Sequence, residues 1–238
     1  MKVFLVASTV YEAERLQNVV QLKRMFNDLE LIEAVYPAFE KIPFKEKLIE
    51  QSFRKTGRTL RAGELGCLLS HRRVWSIIKN MDVGNDVGFL ILESDSRLHD
   101  LDILTSYFSE VHKQYDIFFW GAFDGRMQLL RSKKQKIVKN YSVGKPLLNS
   151  VYCTYGYSIN RKVAIFLFDQ TKQVDYPCDY WKYRLSESGL SVGGISPCLV
   201  ETDESFGSMI QAENSFSFLY RLRDSIVDCK NKIIGNLS

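Results

Sequence analysis

The sequence predicts an α/β domain that binds its ligand at the carboxyl ends of parallel strands, and three observations carry that expectation. Short apolar runs alternate with segments of helical spacing, followed by a less regular second half. The run Val87-Gly88-Phe89-Leu90-Ile91-Leu92 is apolar throughout, which fits a strand covered on both faces. That strand passes straight into Glu93-Ser94-Asp95, and strand ends are where open α/β sheets place their ligands.

The elements follow in order. Val3 to Ala7 reads as the first buried strand. Glu12 to Phe26 carries Leu16, Val19, Val20, Leu22 and Met25 at helical spacing. Leu29 to Tyr36 forms a second strand, stopped by Pro37. Residues 38–60 are charged and irregular, with one helix expected around Phe44 to Phe53. Gly63 opens a helix through Leu65, Leu68, Leu69, Val74, Ile77 and Ile78. Tyr115 to Trp120 forms a strand after the 87–92 run, and residues 127–145 suit a basic hairpin. Val151 to Ile159 leads into a helix from Arg161 to Phe168. Asp179 to Ser188 reads as a short helix, Ser191 to Val200 as the last strand, and Phe216 to Ile234 as an amphipathic helix.

Composition narrows the function classes. A chain of 238 residues buries roughly 70–75% of its unfolded surface, so its core needs no disulfide staples. With 32 basic and 28 acidic residues the net charge is +4, too balanced for a dedicated nucleic-acid binder. No apolar run approaches the roughly 20 residues that cross a bilayer. The apolar start, Met1 to Ala7, is too short for a secretory signal. The five cysteines, Cys67, Cys153, Cys178, Cys198 and Cys229, are scattered without a Cys-x-x-Cys pair. Their spacing argues against a disulfide framework and a zinc site, and suits a reducing cytoplasm.

Two segments carry the chemistry. Glu93 and Asp95 form an acid-x-acid pair that could hold a hard divalent cation against a diphosphate, although acids also begin loops and cap helices. In Gly63-Glu64-Leu65-Gly66-Cys67-Leu68-Leu69-Ser70-His71, two glycines three apart permit close backbone approach, and Ser70 and His71 add polar groups one turn on. A lone histidine is more often structural than catalytic, and no Ser-His-Asp set can be assembled from the linear order.

Together these segments resemble glycosyltransferase family 25, the bacterial lipooligosaccharide and lipopolysaccharide glycosyltransferases, mostly β-galactosyltransferases. Glu14-Arg15 stand where the family has Asp-Arg, and Thr154 to Lys162 resembles its small-residue strand and following helix start. The resemblance covers residues 1–210 as a single GT-A-like domain, a Rossmann-like nucleotide-sugar-binding sheet flanked by helices with a mixed C-terminal acceptor region. It leaves 211–238 as an amphipathic helical tail. It implies a UDP-sugar donor and a divalent metal, manganese or magnesium. Asp95 would be the metal ligand, with Glu93 beside it on the metal or the ribose. Glu14, Arg15, Gly63, Glu64, Ser70 and His71 would line the donor site. Ser94 departs from the family's Glu-Asp-Asp, which removes one negative charge and implies a weaker metal site.

An inverting transfer also needs a carboxylate base at the acceptor hydroxyl. Asp179, in Val174-Asp175-Tyr176-Pro177-Cys178-Asp179-Tyr180-Trp181, matches the family's proline-then-aspartate segment better than Asp175 does, and it could equally be a helix N-cap. Tyr176, Tyr180, Trp181 and Tyr183 could stack on an acceptor sugar or fill the core. The basic run Arg131 to Lys136 with Lys139 could meet an anionic glycolipid and the inner face of the inner membrane, or be a solvated face. The terminal helix would lie in the membrane interface, dock on the domain, or join a second copy in a homodimer. The expected activity is transfer of a hexose, galactose by analogy, from a UDP-sugar to a glycolipid or oligosaccharide acceptor. Ser94 motivates the alternative, a catalytically silent nucleotide-sugar or glycan-binding relative.

Overall fold

The computed structural model of the protein describes residues 1–125 and 127–203. The first half contains β1 (Lys2–Ala7), α1 (Leu16–Met25), β2 (Leu29–Glu33), α2 (Lys45–Thr56), α3 (Ala62–Lys79), β3 (Phe89–Glu93), β4 (Ser96–Leu98) and α4 (Leu101–His112). The second half contains β5 (Ile117–Phe119), β6 (Leu129–Lys136), β7 (Ser142–Pro146), β8 (Gly156–Ile159), α5 (Arg161–Gln170), α6 (Trp181–Leu185), β9 (Val192–Ser196) and β10 (Val200–Thr202). The expected terminal helix and Cys229 lie outside the described residues. Among the described residues no helix is long and apolar enough to cross a membrane.

Eight strands form one mixed sheet in the order β2-β1-β3-β8-β5-β9-β7-β6, and β10 pairs with β4 as a separate ribbon. The α/β expectation holds. β2, β1 and β3 run parallel, while β8 is inserted antiparallel between β3 and β5. The basic segment is the expected hairpin, β6 with β7, at the far edge. Its strand β6 is exposed from Arg131 to Lys136, and lysines on an edge strand also deter pairing with another chain.

The continuous apolar runs are explained by burial on both faces. Phe4, Val6, Phe89 and Ile91 join a cluster with Leu65, Leu68, Trp75 and Ile78 of α3 and Val163 and Leu167 of α5. Val3, Leu5, Leu90 and Leu92 point the other way, into Val19 and Leu22 of α1 and Leu104 and Phe108 of α4. Full burial of one aliphatic side chain is worth about 1.5–3 kcal/mol, whereas a helical glycine costs about 1 kcal/mol. Packing therefore sustains α3 despite Gly63 and Gly66.

Several boundaries differ from the sequence expectation. In α1 only Val19 and Leu22 turn inward, while Leu16, Val20 and Met25 are exposed, because the helix covers the outer strands with a narrow stripe. The second strand ends at Glu33 rather than Tyr36, and β8 begins only at Gly156. The last strand divides around Pro197, which has no N–H to continue a ladder. Helix α4 was not anticipated. Its signals are Asp100, whose side chain accepts from the Ile103 N–H at 3.2 Å, and the spacing of Ile103, Leu104, Phe108 and Val111.

The close approach expected of the glycine pair occurs at Gly66. A Cβ there would fall 2.4 Å from the Val35 carbonyl oxygen and 2.8 Å from Pro37 Cδ. Gly66→Ala gains about 1 kcal/mol of helix propensity but must displace backbone, at the upper end of the about 1–3 kcal/mol that overpacking costs, so it should destabilise the protein by about 1–2 kcal/mol net. Chemical denaturation would read this, and an unchanged or higher midpoint would contradict it.

Candidate active site

The site forms where β1 and β3 end and antiparallel β8 begins. Register pairs Leu92 with Gly156, so the residues just before β8 arrive beside those just after Leu92. Glu93 is met there by two donors on one oxygen: His71 Nε2 at 2.9 Å and Thr154 Oγ1 at 2.5 Å, both on Oε1. On its other side His71 Nδ1 lies 2.9 Å from the Tyr157 hydroxyl, whose oxygen accepts from Trp75 Nε1 at 2.9 Å. The imidazole is completely buried. Burial opposes its charged form, but the Cys67 sulfur and the Glu93 carboxylate outweigh that and hold its pKa at about 9. Burial likewise works against the Glu93 charge, and His71, Thr154 and Arg15 together keep its pKa below the ordinary carboxylate range.

The second half of the site is built around Arg15, which is 5% exposed. Its Nη1 lies 3.1 Å from Asp95 Oδ2, 3.3 Å from Glu12 Oε1 and 3.1 Å from Ser94 Oγ. Ser94 Oγ donates in turn to Glu12 Oε1 at 2.9 Å. Glu12 also accepts from the Tyr36 hydroxyl at 2.5 Å and the Ser8 N–H at 2.6 Å. Asn18 Nδ2 pins the turn by donating to the carbonyls of Ser94 (2.7 Å) and Ser96 (3.1 Å). The Ser94 departure is thus accounted for: a neutral hydroxyl joins Arg15 to Glu12, and Glu12 supplies a carboxylate where the tripeptide lacks one.

Asp95 is the residue left with unused capacity. Its Oδ1 is buried and has no hydrogen-bond partner among the described residues. Burial and the Glu93 charge raise its pKa to about 6 against the pull of Arg15. A buried, partnerless carboxylate oxygen among other carboxylates suits the hard divalent cation implied by the acid-x-acid pattern. Asp95 would hold such an ion with Glu93.

The remaining expected residues separate. Glu64 closes the first turn of α3, accepting from the Arg61 N–H at 2.9 Å and from Arg58 Nη2. Gly63 is half-buried in that same turn. Ser70 is not a lining residue. It donates to the Gly66 carbonyl at 2.7 Å and accepts from the Val35 N–H at 2.8 Å, which ties α3 to the segment after β2. Glu14 is exposed, and the inward carboxylate of that turn is Glu12. In a turn entering a helix the linear sequence does not show which glutamate faces in.

Asp179 lies in the turn before α6, half-buried. It is not an N-cap, because Tyr180 holds that position and makes no side-chain cap bond. Burial raises its pKa to about 6, with the charges of Glu64 and Glu93 adding to the effect. Asp175 is committed elsewhere, to Lys55 and Arg184. Around Asp179, Tyr176 stacks on Tyr183 (centroids 4.3 Å apart) and on Tyr180 (6.0 Å). Trp181 instead belongs to the core, fully buried and donating to the Cys153 carbonyl at 2.7 Å.

Cys153, Cys178 and Cys198 are buried free thiols, as expected of small hydrophobes. Cys67 is different: its sulfur lies with His71 and Glu93, their ligand atoms all within 4.8 Å of one another. The linear sequence hides this grouping, because the third donor arrives from a separate strand.

No curated protein matches the chain. Among solved structures, an inositol-1-phosphate CTP transferase from T. maritima is similar at 13% identity, with 95% of this chain and 96% of that chain covered and a TM-score of 0.44. Likeness at that level carries no functional weight. The profile of glycosyltransferase family 25 (LPS biosynthesis protein) matches residues 1–181. The match spans Arg15, the Gly63–His71 helix, the Glu93–Asp95 turn and Asp179, and the chain belongs to glycosyltransferase family 25.

Proposed function

We propose that this glycosyltransferase is an inverting hexosyltransferase of lipopolysaccharide or lipooligosaccharide assembly, moving galactose from UDP-galactose to a terminal sugar of the growing glycan. The observation that carries the reading is the buried Oδ1 of Asp95, just past the end of β3, which no group among the described residues satisfies. It stands beside Arg15 and Glu93, with Asp179 near enough to feel the Glu93 charge.

Asp95 and Glu93 would hold manganese or magnesium, which when bound neutralises charge on the donor diphosphate. Arg15 keeps Asp95 oriented, and His71 and Thr154 fix Glu93. Asp179 accepts the proton of the acceptor hydroxyl as that oxygen attacks the anomeric carbon opposite the leaving diphosphate, which inverts the configuration. Its pKa of about 6 leaves it ionised at neutral pH yet a stronger base than an exposed aspartate. The tyrosines beside it offer ring faces to an acceptor sugar. Exposed Lys133, Lys134 and Lys136 would draw the protein to anionic lipid, whereas Lys139 already pairs with Asp100 at 2.8 Å.

Three outcomes test the reading. Asp95→Asn should abolish manganese-dependent UDP binding in calorimetry, and wild-type affinity in that variant would remove Asp95 from the donor site. Asp179→Asn should leave UDP affinity near normal and lower the transfer rate by about 10²–10⁴-fold. In the wild type the rate should fall with pH below about 6, because the base is then protonated. The asparagine variant should lack that limb and melt higher at pH 7, having no charge held against burial. At saturating manganese, which keeps Asp95 ionised, a persisting acid limb would point to another base. Replacing Lys133, Lys134 and Lys136 with glutamine should slow transfer to lipid-linked acceptors more than to short neutral sugars, and equal losses would contradict the membrane role.

A further inference from the structure

Cys67 and His71 stand four apart on α3, hence on one face of the helix, and that face meets the end of β3 at Glu93. One thiol, one imidazole nitrogen and one carboxylate oxygen converge within 4.8 Å of one another. The nitrogen on the Glu93 side is Nε2, at 2.9 Å, while Nδ1 faces the Tyr157 hydroxyl, also at 2.9 Å. Metal-bound histidines commonly direct their second ring nitrogen to such a partner, which fixes the ring. Here the partner is itself anchored by Trp75. All three donors sit on regular elements, and the Glu93 side chain is 25% exposed, which leaves a path of entry.

The donor set selects the class of ion. Sulfur with imidazole and carboxylate suits a borderline-soft cation such as zinc, whereas manganese and magnesium prefer oxygen alone. We infer that Cys67, His71 and Glu93 form a zinc-class site, separate in ligand chemistry from the oxygen site at Asp95 but sharing Glu93 with it. Binding would release the Cys67 thiol proton and the His71 Nε2 proton to solvent. His71 would then bind through Nε2 and donate from Nδ1 to Tyr157. The ion takes over the Glu93 oxygen that His71 and Thr154 now hold, so its occupation excludes the arrangement that positions Glu93 for a donor.

The test uses the full chain, stripped with chelator and titrated with cobalt(II). One equivalent should produce a thiolate-to-cobalt charge-transfer band that zinc bleaches and magnesium does not. Cys67→Ser should lose the band, Asp95→Asn should keep it, and Tyr157→Phe should weaken cobalt binding by about 10–100-fold. Should Cys67→Ser fail to fold, zinc protection of Cys67 from alkylation, read by peptide mass spectrometry on the wild type, replaces it. Absence of the band, its survival in Cys67→Ser, or unprotected Cys67 would overturn the inference. The optical signal does not depend on the transferase reading. A protein that shows the band but transfers no sugar with any metal would sink that reading alone, and transfer with manganese but no band would sink this one alone.

Discussion

A guanidinium taken out of water between two carboxylates is the constraint on which the site depends. Burying a charge costs several kcal/mol unless it is paired and hydrogen-bonded, so Arg15 can occupy its place only while Glu12 and Asp95 face it. Glu12 belongs to the turn after β1 and Asp95 to the turn after β3. The ion pairs therefore lock two loops that the sheet alone would leave independent. Ser94 fits this constraint better than an acid would. A carboxylate at that position would stand against Glu12 Oε1, which the serine hydroxyl reaches at 2.9 Å, and one cation would then face three anions.

The inserted antiparallel strand β8 is the second device. A wholly parallel sheet would collect only carboxyl ends along its ligand-binding rim. Reversing β8 brings its amino end to that rim, with Thr154 against Glu93 and Tyr157 one layer below on His71. The cost is crowding behind the strand: a Cβ on Gly156 would lie 2.7 Å from Val200 Cβ. The small residue there is required by packing, whatever its chemical neighbours do.

Much of this was legible in the sequence because burial on both faces writes continuous apolar runs, and these located β1, β3 and β5. The Glu93–Asp95 turn was legible for the same reason, since charge following such a run has few places to go. Glu12 was not legible, because the phase of the short 3-10 turn Ala13–Arg15 cannot be inferred from two glutamates two residues apart. Nor was the division of labour between Ser70 and His71, adjacent residues that helical geometry sends to different neighbours. Thr154 and Tyr157 required knowledge of strand order, which the local pattern does not encode. Helix α4 did carry its signals, an aspartate cap and four spaced apolar residues, but they followed an acidic turn that reads more readily as loop.

The chain Trp75–Tyr157–His71–Glu93 joins an indole in the hydrophobic core to a carboxylate at the rim through three successive hydrogen bonds. Trp181 packs on the same tyrosine ring, with centroids 5.1 Å apart. Any rearrangement of charge at the rim therefore alters the electric field around two aromatic fluorophores that no solute can touch. The protein carries its own optical gauge of what happens at Glu93, readable without a label.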